Sequence, residues 1–199
     1  MIVYIRSECK RNFMPRRRTL SDEQLLAMVL ALIHAEGPEA ATFAAVAKAS
    51  GLSGSTLVQR FATKAAMLRA ALLHAWDRLD AETARLAETV PKTPEGAVAL
   101  LVGLSQDYGD NAAAYGEGLL VLREDFRDPV LRARGAAWGA ALTAAIARCF
   151  GSAKAPETIA RLMLSQWQGS LLWWGFGAGG PVAAYVETEL RRFLAAIKS

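Results

Sequence analysis

The chain has 199 residues, 53% of them apolar and 21% charged, which excludes a disordered or fibrous polymer and gives enough length for one or two domains with a sizeable core. No apolar run approaches a membrane span, and the four-residue run inside Met1 to Arg6 is too short for the core of an export signal. The formal charge of +4 is lopsided: residues 1–64 hold nine Lys and Arg against five Asp and Glu, whereas residues 65–199 hold fourteen of each, so a polyanion-binding end is expected.

Residues 1–18 are expected to be a disordered basic arm, with Met14 resembling a more natural start and Arg16, Arg17 and Arg18 as its densest point. Such a cluster either reaches DNA phosphates or a minor groove or remains a solvated tail. Ser21 predicts the start of a helix with Leu25, Leu26, Val29, Leu30, Leu32 and Ile33 on one side, stopped at Gly37-Pro38. From Thr42 to Phe61 the residues read as two short helices joined at Gly51, opened by the capping residues Thr42 and Ser53. Val46, Ala47, Leu52, Leu57 and Phe61 make their apolar side, and Gly51 permits the backbone conformation that reverses the chain. The opposite side of the second helix carries Ser55, Thr56, Val58, Gln59 and Arg60. Gln pairs with adenine and Arg with guanine in the major groove, and hydroxyls take bases or phosphates, so this is a helix-turn-helix with a DNA-facing surface. The same spacing also serves a helical hairpin used only for packing.

After Lys64 a long helix is predicted to about Glu88, then a hinge at Pro91 to Pro94. Further helices are predicted over 95–108, 112–125, 128–149, 157–175 and 181–197, with no strand pattern of convincing length. The fold class is therefore all-α. Its expected division is 1–18 as the arm, 19–64 as the helix-turn-helix domain and 65–199 as a helical ligand-binding and dimerisation domain.

The helix ending at Glu36-Gly37, then Thr42, Val46 to Ser53, Thr56-Leu57, Phe61 and Lys64 resemble the N-terminal DNA-binding domain of the TetR (tetracycline-repressor-like) regulators over roughly residues 21–76. The resemblance implies phosphate contacts at Thr42 and Lys64 and a major-groove surface from Ser53 to Arg60. Three positions depart from the pattern: Gly54 stands where Lys or Arg is common, Ser55 replaces a frequent glycine, and Val58 replaces a backbone-contacting aromatic. These departures remove phosphate donors, so the expectation is either weaker binding to the site or reliance on the Arg16 to Arg18 arm.

The resemblance further implies a homodimer and a small-molecule effector. Ile159, Met163, Trp167 and Ser170 form one stripe, and Val182, Val186, Leu190, Phe193 and Ile197 another, which suit either a four-helix dimer interface or the chain's own core. Tyr108, Tyr115, Leu119, Trp138, Trp167 and Trp173 supply apolar and aromatic surface for a pocket or for ordinary packing, with Arg123 and Gln166 as polar candidates.

Enzymatic chemistry is not expected. His34 and His74 stand forty residues apart, no Cys and His cluster suits a metal, and the glycine run from Gly175 to Gly180 follows a helix, unlike a dinucleotide loop. Glu124, Asp125 and Asp128 beside Arg123 and Arg127 read as surface ion pairs. Cys9 and Cys149 are expected as free thiols in the cytoplasm, with no cofactor, no metal and no membrane partner. The expected function is ligand-responsive transcription regulation: a repressor bound to a near-palindromic double-stranded operator and released by a lipophilic or aromatic effector. The alternative is a helical small-molecule-binding or adaptor protein with a weakened DNA-binding motif.

Overall fold

Hydroxyl and carboxylate side chains open six of the helices in the computed structural model, which describes residues 20–106, 111–177 and 179–198. Ser21 accepts from the Gln24 amide while the Gln24 side chain accepts from the Ser21 amide, a reciprocal cap that starts α1 (Asp22–Glu36). Thr42, Ser53, Thr63 and Thr93 likewise cap α2 (Phe43–Ser50), α3 (Gly54–Phe61), α4 (Lys64–Thr89) and α5 (Pro94–Ser105). α6 (Ala112–Arg127) follows, and Asp128 accepts from the Val130 and Leu131 amides to start α7 (Pro129–Arg148). α8 (Pro156–Gly175) and α9 (Val182–Lys198) complete an architecture without strands among the described residues. The arm, including Arg16, Arg17 and Arg18, and the pocket candidate Tyr108 lie outside those residues.

Gly51 ends α2 with φ of 70°, in the left-handed region where a Cβ is penalised, so the turn before α3 depends on it. Gly96 is required by space: a Cβ there would stand 1.9 Å from the Pro91 carbonyl oxygen.

Buried apolar residues fall into two clusters. The first joins Leu25, Val29 and Ile33 of α1 to Val46, Leu57, Met67 and Ala71, and takes in Leu131 from α7 with Val121 of α6 packed against it. The second is built from α5, α7, α8 and α9, with Leu100, Leu142, Met163, Trp167, Val186 and Leu190 at its centre. Trp76 of α4 packs against both.

The stripes read as a dimer interface turn inward. Met163, Trp167, Ser170, Val182, Val186 and Leu190 are buried within the chain, Ile159 and Phe193 pack against the same core, and Ile197 alone is exposed. The correction has a simple cause: α9 lies across α5 and α8, and a helix burying one face against its own neighbours uses the same three-to-four spacing as one facing a partner.

Candidate DNA-binding surface and aromatic core

Leu57 and Val46 are fully buried, and Phe61, Leu52 and Ala47 pack at the edge of the same cluster, which fixes the rotation of α3 about its axis. That rotation leaves Ser53, Gly54, Ser55, Val58 and Gln59 exposed and Thr56 half-buried. The Ser53 hydroxyl lies 2.8 Å from the hydroxyls of both Ser55 and Thr56, so the leading end of α3 presents a cluster of groups able to donate or accept. Val58 offers an apolar surface suited to a thymine methyl. A Cβ on Gly54 would meet nothing within 4 Å, so the missing cation at this position is a matter of sequence, not of room.

The two remaining cations expected at the groove are already engaged. Arg60 donates to Asp22 Oδ1 at 2.9 Å and to the Leu20 carbonyl at 3.3 Å. Lys64 Nζ donates at 2.9 Å to both the carbonyl and the carboxylate of Glu39, whose pKa this hydrogen bond and charge lower. Asp22 and Glu39 are partners that sequence reasoning missed, because they lie 38 and 25 residues away along the chain. Thr42 remains exposed, and its oxygen accepts from the Ala45 amide, which leaves its own O–H available to a phosphate. Residues 20–64 hold three cations against four carboxylates, a formal −1, while residues 1–19 hold six against one.

The candidates for a pocket separate into an interior and an exterior group. Trp138 and Trp167 are buried with ring centroids 6.4 Å apart, and their N–H groups donate to Thr83 at 3.0 Å and to Ser105 at 2.8 Å. Tyr115 is buried edge-on to Trp174, whose N–H donates to the Gly180 carbonyl. Gln166 is half-buried on α8. Trp173 is 65% exposed against Phe176, and Leu119 and Arg123 lie on the exposed side of α6, so these three do not join the interior aromatics.

Asp125 and Asp128 depart from the surface ion pairs read in the sequence. Asp125 is buried and accepts from the Trp76 N–H at 3.0 Å; burial raises its pKa, the Trp76 hydrogen bond opposes this, and the Glu124 charge adds to it. Asp128 binds Arg69 of α4 while capping α7, and Arg134 of α7 bridges Asp77 and Asp80 of α4. Of the group, Glu124 and Arg127 do pair on the surface at 3.6 Å. The long helix below α3 is thereby tied by side chains to the α6–α7 corner. Among the described residues no group of His, Cys, Asp and Glu could hold a metal ion, and no helix is long and apolar enough to cross a membrane.

A capped, outward-facing α3 set on a three-helix cluster and carried by a long α4 into an aromatic helical bundle defines a helix-turn-helix module joined to an all-helical body. Residues 25–71 match the family model of the bacterial regulatory proteins of the tetR family. The fold is that of solved relatives. A transcriptional regulator from Rhodococcus sp. Rha1 superposes with a TM-score of 0.69 at 18% identity, covering 88% of this chain and 97% of that one. A tetR-family transcriptional regulator from Streptomyces coelicolor gives 0.68 at 21% identity, with 88% and 79% covered. A protein of Saccharomonospora viridis solved in complex with choline gives 0.68 at 19% identity, with 86% and 93% covered. No curated protein matches the sequence.

Proposed function

We propose that the protein is a cytoplasmic, ligand-responsive transcriptional regulator that binds a near-palindromic operator as a homodimer and is released by a small lipophilic or aromatic effector. The observation that carries this reading is the solvent-facing side of α3, where Gln59, Ser55 and Val58 stand clear of the protein's own core. Paired copies about 34–36 Å apart enter successive major grooves. For the paired state we assign the outer side of α8, where Leu162, Ser165, Gly169, Leu172 and Phe176 follow a three-four spacing and three large apolar side chains are exposed.

The effector site belongs with the interior aromatics Tyr115, Trp138, Trp167 and Trp174; the three indole N–H groups are already satisfied, which favours apolar or cationic-aromatic recognition. The choline held by the Saccharomonospora viridis relative is compatible with that chemistry. An effector releases DNA only by favouring one of two arrangements of the dimer, and α4, tied to α6 and α7 through Trp76, Arg69 and Arg134, is the element that carries the shift.

The test is a titration of the protein's own upstream DNA with the full chain in competition with unrelated duplex. Preferential binding that Gln59→Ala weakens supports the regulator; equal, weak binding to both duplexes rejects it. The formal −1 of residues 20–64 favours a second reading, a helical small-molecule-binding or adaptor protein. Loss of all duplex binding together with retained dimerisation would select it.

A further inference from the structure

An α-helix turns by about 100° per residue, which sets the order of side chains around α3. Leu57 is fully buried and Phe61 packs against the same cluster, so the direction midway between them points into the protein. Gln59 falls about 180° from that direction, with Ser55 about 40° to one side of it. Val58 and Arg60 take opposite flanks, each about 100° from Gln59. The two flanks differ in what they meet. Val58 is 48% exposed, whereas the Arg60 guanidinium donates through both terminal nitrogens to the Leu20 carbonyl and through one of them to Asp22, at the start of α1. For Arg60 to reach a base, the side chain would have to release these bonds and swing to the far side of the helix.

Resting on the DNA-binding reading, we infer that α3 selects a half-site centred on A·T pairs, with Gln59 reading an adenine, Val58 reading a neighbouring thymine methyl, and Arg60 withheld from the bases. Guanine presents two acceptors in the major groove, N7 and O6, and asks for two donors; adenine presents an acceptor, N7, beside a donor, N6. Gln59 carries one donor and one acceptor on its carboxamide, which is exposed and makes no hydrogen bond among the described residues. It therefore complements adenine and sets its own oxygen against an acceptor on guanine. The cations that would favour guanine are elsewhere: Lys64 is bonded to Glu39, and Lys48 lies on α2, the helix that in this motif crosses the sugar-phosphate backbone. Ser55 and Thr56 both share hydrogen bonds with Ser53, and hydroxyls that rotate to donate or accept discriminate little between bases. Base choice thus falls to Gln59 at the centre of the outward face and to Val58 on its open flank.

The experiment selects duplexes from a pool with a randomised central region, using the full chain, and then measures affinity for each single base-pair change in the selected sequence at one fixed salt concentration. Each half-site is expected to hold an adenine whose replacement lowers affinity about tenfold to a hundredfold. Gln59→Ala is expected to level the four bases at that position, and Gln59→Glu, which can only accept, to move the preference to cytosine, whose N4 donates. Exchanging the adjoining thymine for uracil removes one methyl group; it is expected to weaken the wild-type chain severalfold and to leave Val58→Ser unaffected. Arg60→Ala is expected to keep every base preference. Thermal melts confirm that each variant folds. An adenine preference that survives Gln59→Ala overturns the Gln59 assignment, and a uracil exchange without cost in the wild-type chain overturns that of Val58. A guanine preference that Arg60→Ala abolishes overturns the withdrawal of Arg60. A chain that binds duplexes yet enriches no sequence overturns the whole inference and leaves DNA binding standing; a chain that binds no duplex overturns the regulator reading, and the inference falls with it.

Discussion

Replacing Ser105 with Ala tests whether the aromatic core is internally satisfied or waiting for a ligand. Ser105 is fully buried; its oxygen accepts from the Trp167 N–H at 2.8 Å, and its own hydroxyl donates to the Leu101 carbonyl at 2.8 Å. Trp167 is 1% exposed, so removing the hydroxyl leaves an indole N–H with no solvent to turn to. An orphaned buried donor costs about 1–3 kcal/mol, so Ser105→Ala is expected to destabilise by about 2 kcal/mol. At this chain length that corresponds to a fall of about 4–8 °C in Tm. In a Trp167→Phe background the donor is gone, and the same Ser105→Ala change should cost only about 0.5 kcal/mol, a coupling of about 1.5 kcal/mol. Urea denaturation followed by far-UV circular dichroism reads all four corners of the cycle. If Ser105→Ala costs the same in both backgrounds, or less than about 0.5 kcal/mol in the native chain, Trp167 already has another partner and the interior is a wet or occupied cavity, not a sealed one.

Three further outcomes follow from the geometry. Gly54→Lys places a cation in open space at the start of α3 and should tighten duplex binding and steepen its salt slope by about 0.9; weaker binding would mean that the Gly54 edge does not face the backbone. Asp125→Asn keeps the oxygen that accepts from Trp76 and removes the charge whose burial raises the pKa. Because the folded pKa lies above the unfolded one, the ionised carboxylate opposes folding at neutral pH and the penalty fades as pH falls toward the ordinary aspartate value of 3.8, so the variant should have the higher Tm at pH 7, with the gap closing on acidification. Melts at pH 7 showing a less stable variant would refute this. Leu172→Glu with Phe176→Glu, both at exposed sites, should leave the fold intact by circular dichroism but give a monomer in sedimentation equilibrium; a persistent dimer would move the interface off α8.

The caps show how much was legible. Ser21, Thr42 and Ser53 act within three residues of themselves, and Gly51 acts on its own backbone, so the first three helices and the turn appear in the sequence almost to the residue. The outward side of α3 was legible for a related reason: Leu57 and Phe61 define the inner face by spacing alone, and Gln59 and Ser55 are then left outside. Arg60 shows the limit. It shares the outer turn with Gln59, but a long side chain goes where its partner is, and Asp22 is 38 residues away. Asp125 repeats the lesson, since nothing near it in the chain announces that Trp76 and not Arg127 will be its partner.

Helix type, helix ends and the existence of a helix-turn-helix depend on interactions within about four residues, and the amino-acid order alone determined them. Which side of α8 and α9 is interior, which aromatics reach the core, and which carboxylates hold Arg60 and Lys64 were decided only by packing. A helical stripe specifies that a face will be buried and carries no record of what buries it; that is set when α9 settles across α5 and α8 and when α1 comes to rest beside α3.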